Sequence, residues 1–375
     1  MKFVHIADMH FDAPFSELSD IENLGKLRRM EQRRAFNKII QYIKDNQVEY
    51  LFISGDLYEE QYIKEETIKY INDKFKEIEN TKIFISPGNH DPHIAKSYYA
   101  TYNWSKNVYI FKSKLEKINL SDIEIYGYGF GDYYCEDSGI NQLEIIDKNK
   151  VNILITHGDI NGNSSGEKQY NPLNEKNLRE KGFDYVALGH IHKDNILKEK
   201  NNEKKIIYPG STISMGFDET GKHGMVVGKI NNKKIEIEFI PVDEFEFKEL
   251  EIDCTELYTI EELIEKIDNI KLLEFEIYKI ILIGKRNFEI NEKEIYQYNI
   301  NKNIIKIKNQ TILNYNIEKI SQENNLMGIF TKKIIEKIKN ATDKEEKDIL
   351  ERALEIGINA IEKNKNWQGE KIEYK

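Results

Sequence analysis

Five short segments carry the chemistry-bearing side chains of this chain. Asp8-Met9-His10 follows the first apolar run, Gly55-Asp56 the second and Gly88-Asn89-His90-Asp91 the third. His157-Gly158 and Gly189-His190-Ile191-His192 follow two later runs. Asp8, His10, Asp56, Asn89, His157, His190 and His192 supply seven oxygen or nitrogen donors. One mononuclear site rarely takes seven side chains, whereas two cations sharing a carboxylate need about that number. N and O donors without a thiolate suit Mn²⁺, Fe or Zn²⁺. A metal pair about 3.5–4 Å apart stabilises both the attacking and the leaving oxygen of a phosphoryl displacement. It also lowers the pKa of a bound water. The chemistry implied is hydrolysis of a phosphate ester.

The elements that must position these residues alternate along the chain. Lys2–Ala7, Tyr50–Ser54, Lys82–Ser86, Ile123–Tyr128, Val151–Thr156 and Tyr185–Leu188 are strand-length and rich in Ile, Val, Phe or Tyr. Phe36, Ile39, Ile40 and Ile43 follow helical spacing between them, as do Ile68, Ile71, Phe75 and Ile78. Gly224–Ile230 and Lys234–Ile240 predict a closing hairpin, with Pro241 ending its second strand. The alternation predicts an α/β layered domain with a mixed sheet. In open α/β sheets the carboxyl ends of strands form the ligand crevice. The five polar segments are therefore expected to converge on one edge. The glycines at 55, 88, 158 and 189 allow sharp turns and close approach.

Beyond residue 243 the texture changes. Phe245–Ile252, Phe275–Ile283 and Ile304–Ile312 read as strands. Thr259 caps a helix over Thr259–Ile267, with Glu262 completing a capping box. Glu292–Tyr298 is a further helix. From Ser321 the chain is helical: Ile334, Ile335 and Ile338 mark one helix, and Leu350, Leu354, Ile358 and Ile361 the next, starting at Thr342-Asp343. These helices are expected to form an αα-hairpin. Three parts follow: 1–244, 245–318 and 319–375.

Composition narrows the class. With 55 Lys+Arg against 65 Asp+Glu the net charge is −10, which excludes a protein that coats nucleic acid by bulk charge. Cys135 and Cys254 cannot build a disulfide framework and fit a reducing cytoplasm. No apolar run reaches 18 residues, and the N-terminus does not read as a signal peptide. His5 is expected to be a satisfied strand histidine and His223 a loop residue, while His93 is left unassigned. Lys26, Arg29 and Arg33 share a helical face within a basic cluster that also holds Arg28 and Arg34. That face is either a DNA phosphate contact or an ordinary solvated surface. Asn161–Gly166 is a polar loop that either gates the site or is plain surface.

The ordered set Asp-x-His, Gly-Asp, Gly-Asn-His-Asp, His-Gly and Gly-His-x-His resembles the calcineurin-like metallophosphoesterase superfamily. The opening His5–Phe15 and Asp184–His192, followed by Tyr208-Pro-Gly-Ser211, resemble its SbcD/YhaO-like DNA repair exonuclease branch. The match covers about residues 1–245. It implies a layered fold with a β-sandwich core flanked by helices, a small α+β capping domain and C-terminal helices. It implies two divalent metal ions, Mn²⁺ foremost. Asp8, His10, Asp56 and His192 would hold the first, and Asp56 would bridge to the second with Asn89, His157 and His190. His90 would act as general acid with Asp91 orienting its ring.

The resemblance further implies a DNA substrate and an SbcC-like coiled-coil ATPase partner for the C-terminal helices. A homodimer, known in the branch, cannot be argued from these residues. Some members carry a histidine three residues after the bridging aspartate; here that position is Glu59. The rival readings are a phosphatase or small-molecule phosphodiesterase, and a non-catalytic scaffold for the ATPase.

Overall fold

Two β-sheets face each other across a core of aromatic and β-branched side chains. The computed structural model describes residues 1–15, 24–145, 147–160, 162, 168–199, 201, 205–298, 300–315 and 317–365. All of the expected loop Asn161–Gly166 except Gly162 lies outside them. The chain divides into two units: Met1–Lys248 with Phe275–Ile277, and Glu249–Glu274 with Tyr278–Lys375.

In the first unit a six-stranded sheet runs Lys234–Pro241, Gly224–Asn231, Lys2–Ile6, Tyr50–Ile53, Lys82–Ile85, Val108–Ile110. Its last four strands are parallel, and Gly224–Asn231 is antiparallel to Lys2–Ile6. A five-stranded sheet runs Glu116–Leu120, Ile123–Tyr128, Val151–His157, Tyr185–Gly189, Lys205–Ile207, the last four again parallel. Phe3 and Phe52 from one sheet meet Tyr185, Ile125 and Ile155 from the other. Phe3 lies 4.7 Å from Tyr185, ring centre to ring centre. Close-packed aromatic rings of this kind are the main apolar term holding a sandwich together.

Helices cover both outer faces. Leu24–Asn46 and Glu65–Lys76 bury Phe36, Ile39, Ile43, Ile68, Ile71 and Phe75. Glu175–Lys181 buries Leu178 in a cluster with Tyr126, Leu154, Phe183 and Val186. The order is thus helix, sheet, sheet, helix. Apolar spacing marks every long strand of this unit. It does not mark Val108–Ile110, Glu116–Leu120 or Lys205–Ile207, because each is short and lies at a sheet edge. Glu116–Leu120 is only half-buried along its length and alternates with charge.

In the second unit, strands of a three-stranded sheet ending in Ile304–Asn309 pack with helix Ile260–Asp268 around Ile252, Leu263, Ile280 and Ile307. Thr259 caps that helix by accepting from the Glu262 amide, while Glu262 accepts from the Tyr258 amide. Helices Leu326–Asn340 and Lys344–Lys365 form a hairpin with its own cluster of Met327, Leu354 and Ile358. Asp343 caps the second of them by accepting from the Glu346 amide.

Phe52 lies between the sheets with no exposure, 5.3 Å from the Phe3 ring. Phe52→Ala is expected to cost about 3–5 kcal/mol in urea denaturation with an unchanged m-value. A cost below about 1 kcal/mol would show that the intersheet core is not the main stabilising layer.

Candidate metal centre

The chain leaves its first two strands through strained turns. Asp8, His10 and Asp56 have φ of 50°, 48° and 52°, the left-handed region that side chains avoid. Such residues persist only where neighbours over-determine them. Here the amides of Asp8, His10 and Phe11 donate to the carbonyls of Gly55, Asp56 and Leu57 at 3.1, 2.9 and 3.0 Å. Gln32, on the first helix, donates to the His10 carbonyl at 2.7 Å. Gly55, at φ 89°, admits the sharp entry to Asp56. Gly88 packs so closely that a Cβ would lie 2.3 Å from Asp56 Oδ1.

The second sheet closes over this turn. His157 donates from Nδ1 to the Ser54 carbonyl at 2.9 Å, which leaves Nε2 facing Asn89 Oδ1 at 2.9 Å and Asp56 Oδ2 at 3.3 Å. The His190 amide donates to both Asp8 oxygens at 3.0 and 3.1 Å. His10 Nε2 lies 3.2 Å from His192 Nε2 and 3.9 Å from Asp56 Oδ2. Asp8, His10 and His192 bring one ligand atom each within 4.8 Å of one another, and so do Asp8, Asp56 and His157. Asp8, His10, Asp56, Asn89, His157 and His192 thus bring donor atoms together, with Asp56 Oδ2 between His10 and His157, while the His190 ring lies 5.2 Å from that of His157. They meet at the end of a sandwich rather than along one open sheet, because strands of both sheets end there.

Two carboxylates that the motifs do not mark orient the site's histidines. Glu59 lies 2.8 Å from His10 Nδ1 through one oxygen and 3.0 Å from His90 Nδ1 through the other. Glu219 lies 2.5 Å from His192 Nδ1 and accepts from Ser211 Oγ at 2.9 Å. Glu59 stands at the position where some family members have histidine, so its place was marked but its chemistry was not. Glu219 is 27 residues from its histidine and carries no motif.

One expected role is corrected. Asp91 does not orient the His90 ring. Its carboxylate accepts from the amides of Asp56, Leu57 and Gly88 and from the Tyr99 hydroxyl, at 3.0, 2.7, 2.6 and 2.6 Å. Four donors use up its lone pairs, and Glu59 takes the His90 contact instead.

The electrostatics follow from these contacts. Burial works to raise the Asp56 carboxyl, but His157, His10 and His90 outweigh it and hold it below the usual carboxylate range. Burial and the neighbouring Asp56 charge push Asp91 up to about 7. Burial alone would lower His90, yet Glu59 and Asp56 raise it to about 9. His157 and His192 are raised likewise to about 9 against burial, chiefly by Asp56 and Glu219 respectively. His190, buried and beside His157, falls to about 4. A set of histidines held against carboxylates, with His10 Nε2 and His192 Nε2 facing each other at 3.2 Å, is an arrangement that a divalent cation would suit.

His90 is the accessible member, with 45% of its side chain exposed. A cavity of ≈ 430 Å³ is lined by His190, His192, Lys193, Glu219 and Lys222. His5 is fully buried between Tyr185 and Ser54, as expected of a structural histidine, and burial lowers it to about 3. His223 is a loop residue, as expected, and is buried; its ring lies 2.8 Å from Ser211 Oγ and 3.1 Å from the Glu219 carbonyl, so it steadies the loop that holds Glu219.

The basic cluster does not form one solvent face. Arg28 is buried against Glu31, the Ser214 carbonyl and the Phe247 ring. Arg33 donates to Thr67 and lies over Tyr70, and Arg34 pairs with Glu244. Lys26 is exposed and Arg29 half-buried.

The profile of the calcineurin-like phosphoesterase family matches residues 1–194. The chain is 26% identical over 278 residues to the uncharacterized metallophosphoesterase YhaO of Bacillus subtilis, covering 72% of this chain and 67% of that protein. It is 29% identical over 288 residues to the SbcD subunit of the SbcCD nuclease of Staphylococcus epidermidis, covering 67% of this chain and 72% of the relative. The corresponding SbcD protein of Staphylococcus saprophyticus is 28% identical over 275 residues, covering 64% and 69%.

Glu59→Gln removes the carboxylate that holds His90. In metal-stripped protein the His90 titration, followed by NMR, is expected to fall from about 9 toward the ordinary 6.5. An unmoved titration would assign the shift to Asp56 alone.

Proposed function

The chain belongs to the calcineurin-like phosphoesterase family, and from that premise we propose that it is a dinuclear metal-dependent phosphodiesterase acting on DNA. In this reading it is the nuclease subunit of a nuclease–ATPase repair complex in the cytoplasm. The observation that carries the reading is the convergence of Asp8, His10, Asp56, Asn89, His157 and His192, with the half-exposed His90 ring beside His10. Asp8, His10, Asp56 and His192 would hold one cation, and Asp56, Asn89, His157 and His190 the other, with Mn²⁺ the proposed metal. Bound there, the cations supply Lewis acidity and an activated water.

The chain's own residues do the rest. Glu219 and Glu59 fix the rings of His192 and His10 by accepting from their Nδ1, which leaves each Nε2 for ligation. His90, held at Nδ1 by Glu59, presents its other ring nitrogen and its proton to the leaving oxygen. Asp91 and Tyr99 keep the loop carrying His90 against the Asp56 turn.

DNA is favoured as the substrate by the SbcCD relatives, whose name states a nuclease. We further propose that 1–244 is the nuclease domain, 245–318 a capping domain and 319–375 a helical segment that docks on an SbcC-like coiled-coil ATPase. Leu326, Ile329, Ile349 and Ile356 on the helical hairpin are exposed, which suits such a docking role. A DNA contact by Lys26 and Arg29 remains part of this reading. Arg33 contributes less, being engaged by Thr67, Tyr70 and Asp12. Among the described residues no helix is long and apolar enough to cross a membrane.

The test is cleavage of end-labelled linear DNA with Mn²⁺, beside bis(p-nitrophenyl) phosphate. His90→Ala is expected to lower kcat on DNA by about 10²–10⁴-fold with metal content kept. Intact DNA with a cleaved chromogenic ester would replace the nuclease with a small-substrate phosphodiesterase. No cleavage and no metal binding would leave the scaffold reading. Asp56→Asn is expected to lose both metals by elemental analysis; full metal content in that variant would contradict the bridging role.

A further inference from the structure

A series of rings leads outward from the metal centre, and none of the chemistry above uses it. Tyr170 lies over His190, ring centres 5.0 Å apart and tilted by 32°. Tyr134 follows at 5.7 Å from Tyr170, tilted by 48°. The ammonium of Lys168 stands 5.7 Å from the centre of the Tyr134 ring. Tyr134 is 42% exposed although its neighbour Cys135 is buried. Its place next to Tyr170 and Lys168, and not its exposure alone, sets this ring apart.

The backbone fixes this display. Cys135 donates its amide to the Gln169 carbonyl at 2.9 Å and accepts from the Asn171 amide at 2.7 Å. The Asp159 amide donates to the Tyr170 carbonyl at 3.0 Å. The Asn171 side chain donates to the His157 carbonyl at 2.7 Å. The two tyrosines are therefore tied to the loop that carries His157, and ring positions and donor positions are set together.

From this geometry we infer that Tyr134 and Tyr170 form a stacking platform for an unpaired nucleobase next to the phosphate held at the metal centre. Every base has an apolar face that stacks on an aromatic ring, whatever its sequence. Lys168, on a long flexible stem, moves from the ring to the phosphate that follows the stacked base. A base inside a duplex has both faces covered by its neighbours, so the platform selects single-stranded or frayed ends. The inference rests on the nucleic-acid reading above and narrows it to a substrate class. Tyr134 is a binding residue in it and takes no part in bond breaking.

The test uses the full chain loaded with Mn²⁺ and a short single-stranded oligonucleotide carrying 2-aminopurine at its end. Stacking on a ring quenches this base. Wild type and Tyr134→Phe are expected to quench it. Tyr134→Ala, at unchanged metal content, is expected to lose the quench and raise Kd about tenfold. Cleavage of the single strand is expected to fall with it through KM, and cleavage of a blunt duplex less. No quench by wild type, or an equal quench by Tyr134→Ala, overturns the platform even if the DNA is cut. A quench with no cleavage of any DNA leaves the platform standing and removes the nuclease reading. Equal losses in Tyr134→Phe and Tyr134→Ala overturn stacking in favour of a hydroxyl contact.

Discussion

Asp91 is the residue on which the rest of the centre depends. Its carboxylate ties two turns together, accepting from Asp56 and Leu57 on one and Gly88 on the other, while Tyr99 supplies the fourth donor. An isolated buried carboxylate costs several kcal/mol, and only a full set of donors offsets that. What the fold gains is a left-handed Asp56 held with its oxygens toward the site. The same bonds set the height of the following loop, from which the His90 amide donates to Asp56 Oδ1 at 2.8 Å. The Asp56 carboxylate and the loop that carries His90 are thus fixed by one side chain.

A second constraint is charge. Asp8 and Asp56 are buried within a few ångströms of four histidines, and two further carboxylates stand behind those rings. Without cations the site balances by protonating histidines, which is why His90, His157 and His192 are all held well above their ordinary range. A cation held by His157 and His192 would take over the role of their protons, and His90, outside the expected ligand set, would keep its own. Each Nδ1 is already committed to Glu59, Glu219 or the Ser54 carbonyl, so deprotonation frees Nε2 without moving the ring. The outer carboxylates therefore prepare the rings for metal, a part that motif donors alone do not explain.

How far the sequence could be read follows from the same physics. Long central strands were legible because both faces are buried, and runs such as Ile123–Tyr128 are apolar at nearly every position. Val108–Ile110 and Glu116–Leu120 were not, since they are only partly buried, and Lys205–Ile207, though buried, is only three residues long. The expected donors were legible because each ends or follows a strand, and Asp56, Asn89, His157 and His190 also lie next to a glycine. Glu219 was not: its place depends on Ser211 and His223, which reach it through a tertiary network and share no local pattern. The role of Asp91 was hidden for a related reason. Adjacency to His90 in sequence suggests a contact in space, but a turn sends successive side chains in different directions, and the backbone amides of a neighbouring loop compete for the carboxylate.

The net charge of −10 then bears on how substrate is held. Binding of nucleic acid by phosphate contacts needs cationic side chains, and its strength falls steeply with salt. Among the described residues, Arg28, Arg33 and Arg34 are engaged by internal partners, which leaves such contacts to lysines such as Lys168, Lys193 and Lys222. Two divalent cations would make the donor pocket locally positive, but only over the phosphate they hold. Stacking on exposed rings is the complementary force: it needs no charge, tolerates any base and is weakly screened. An acidic enzyme of this design is expected to grip a substrate at one phosphate and one base. It would leave the rest of the polymer to other contacts, which agrees with the proposed role beside a partner subunit.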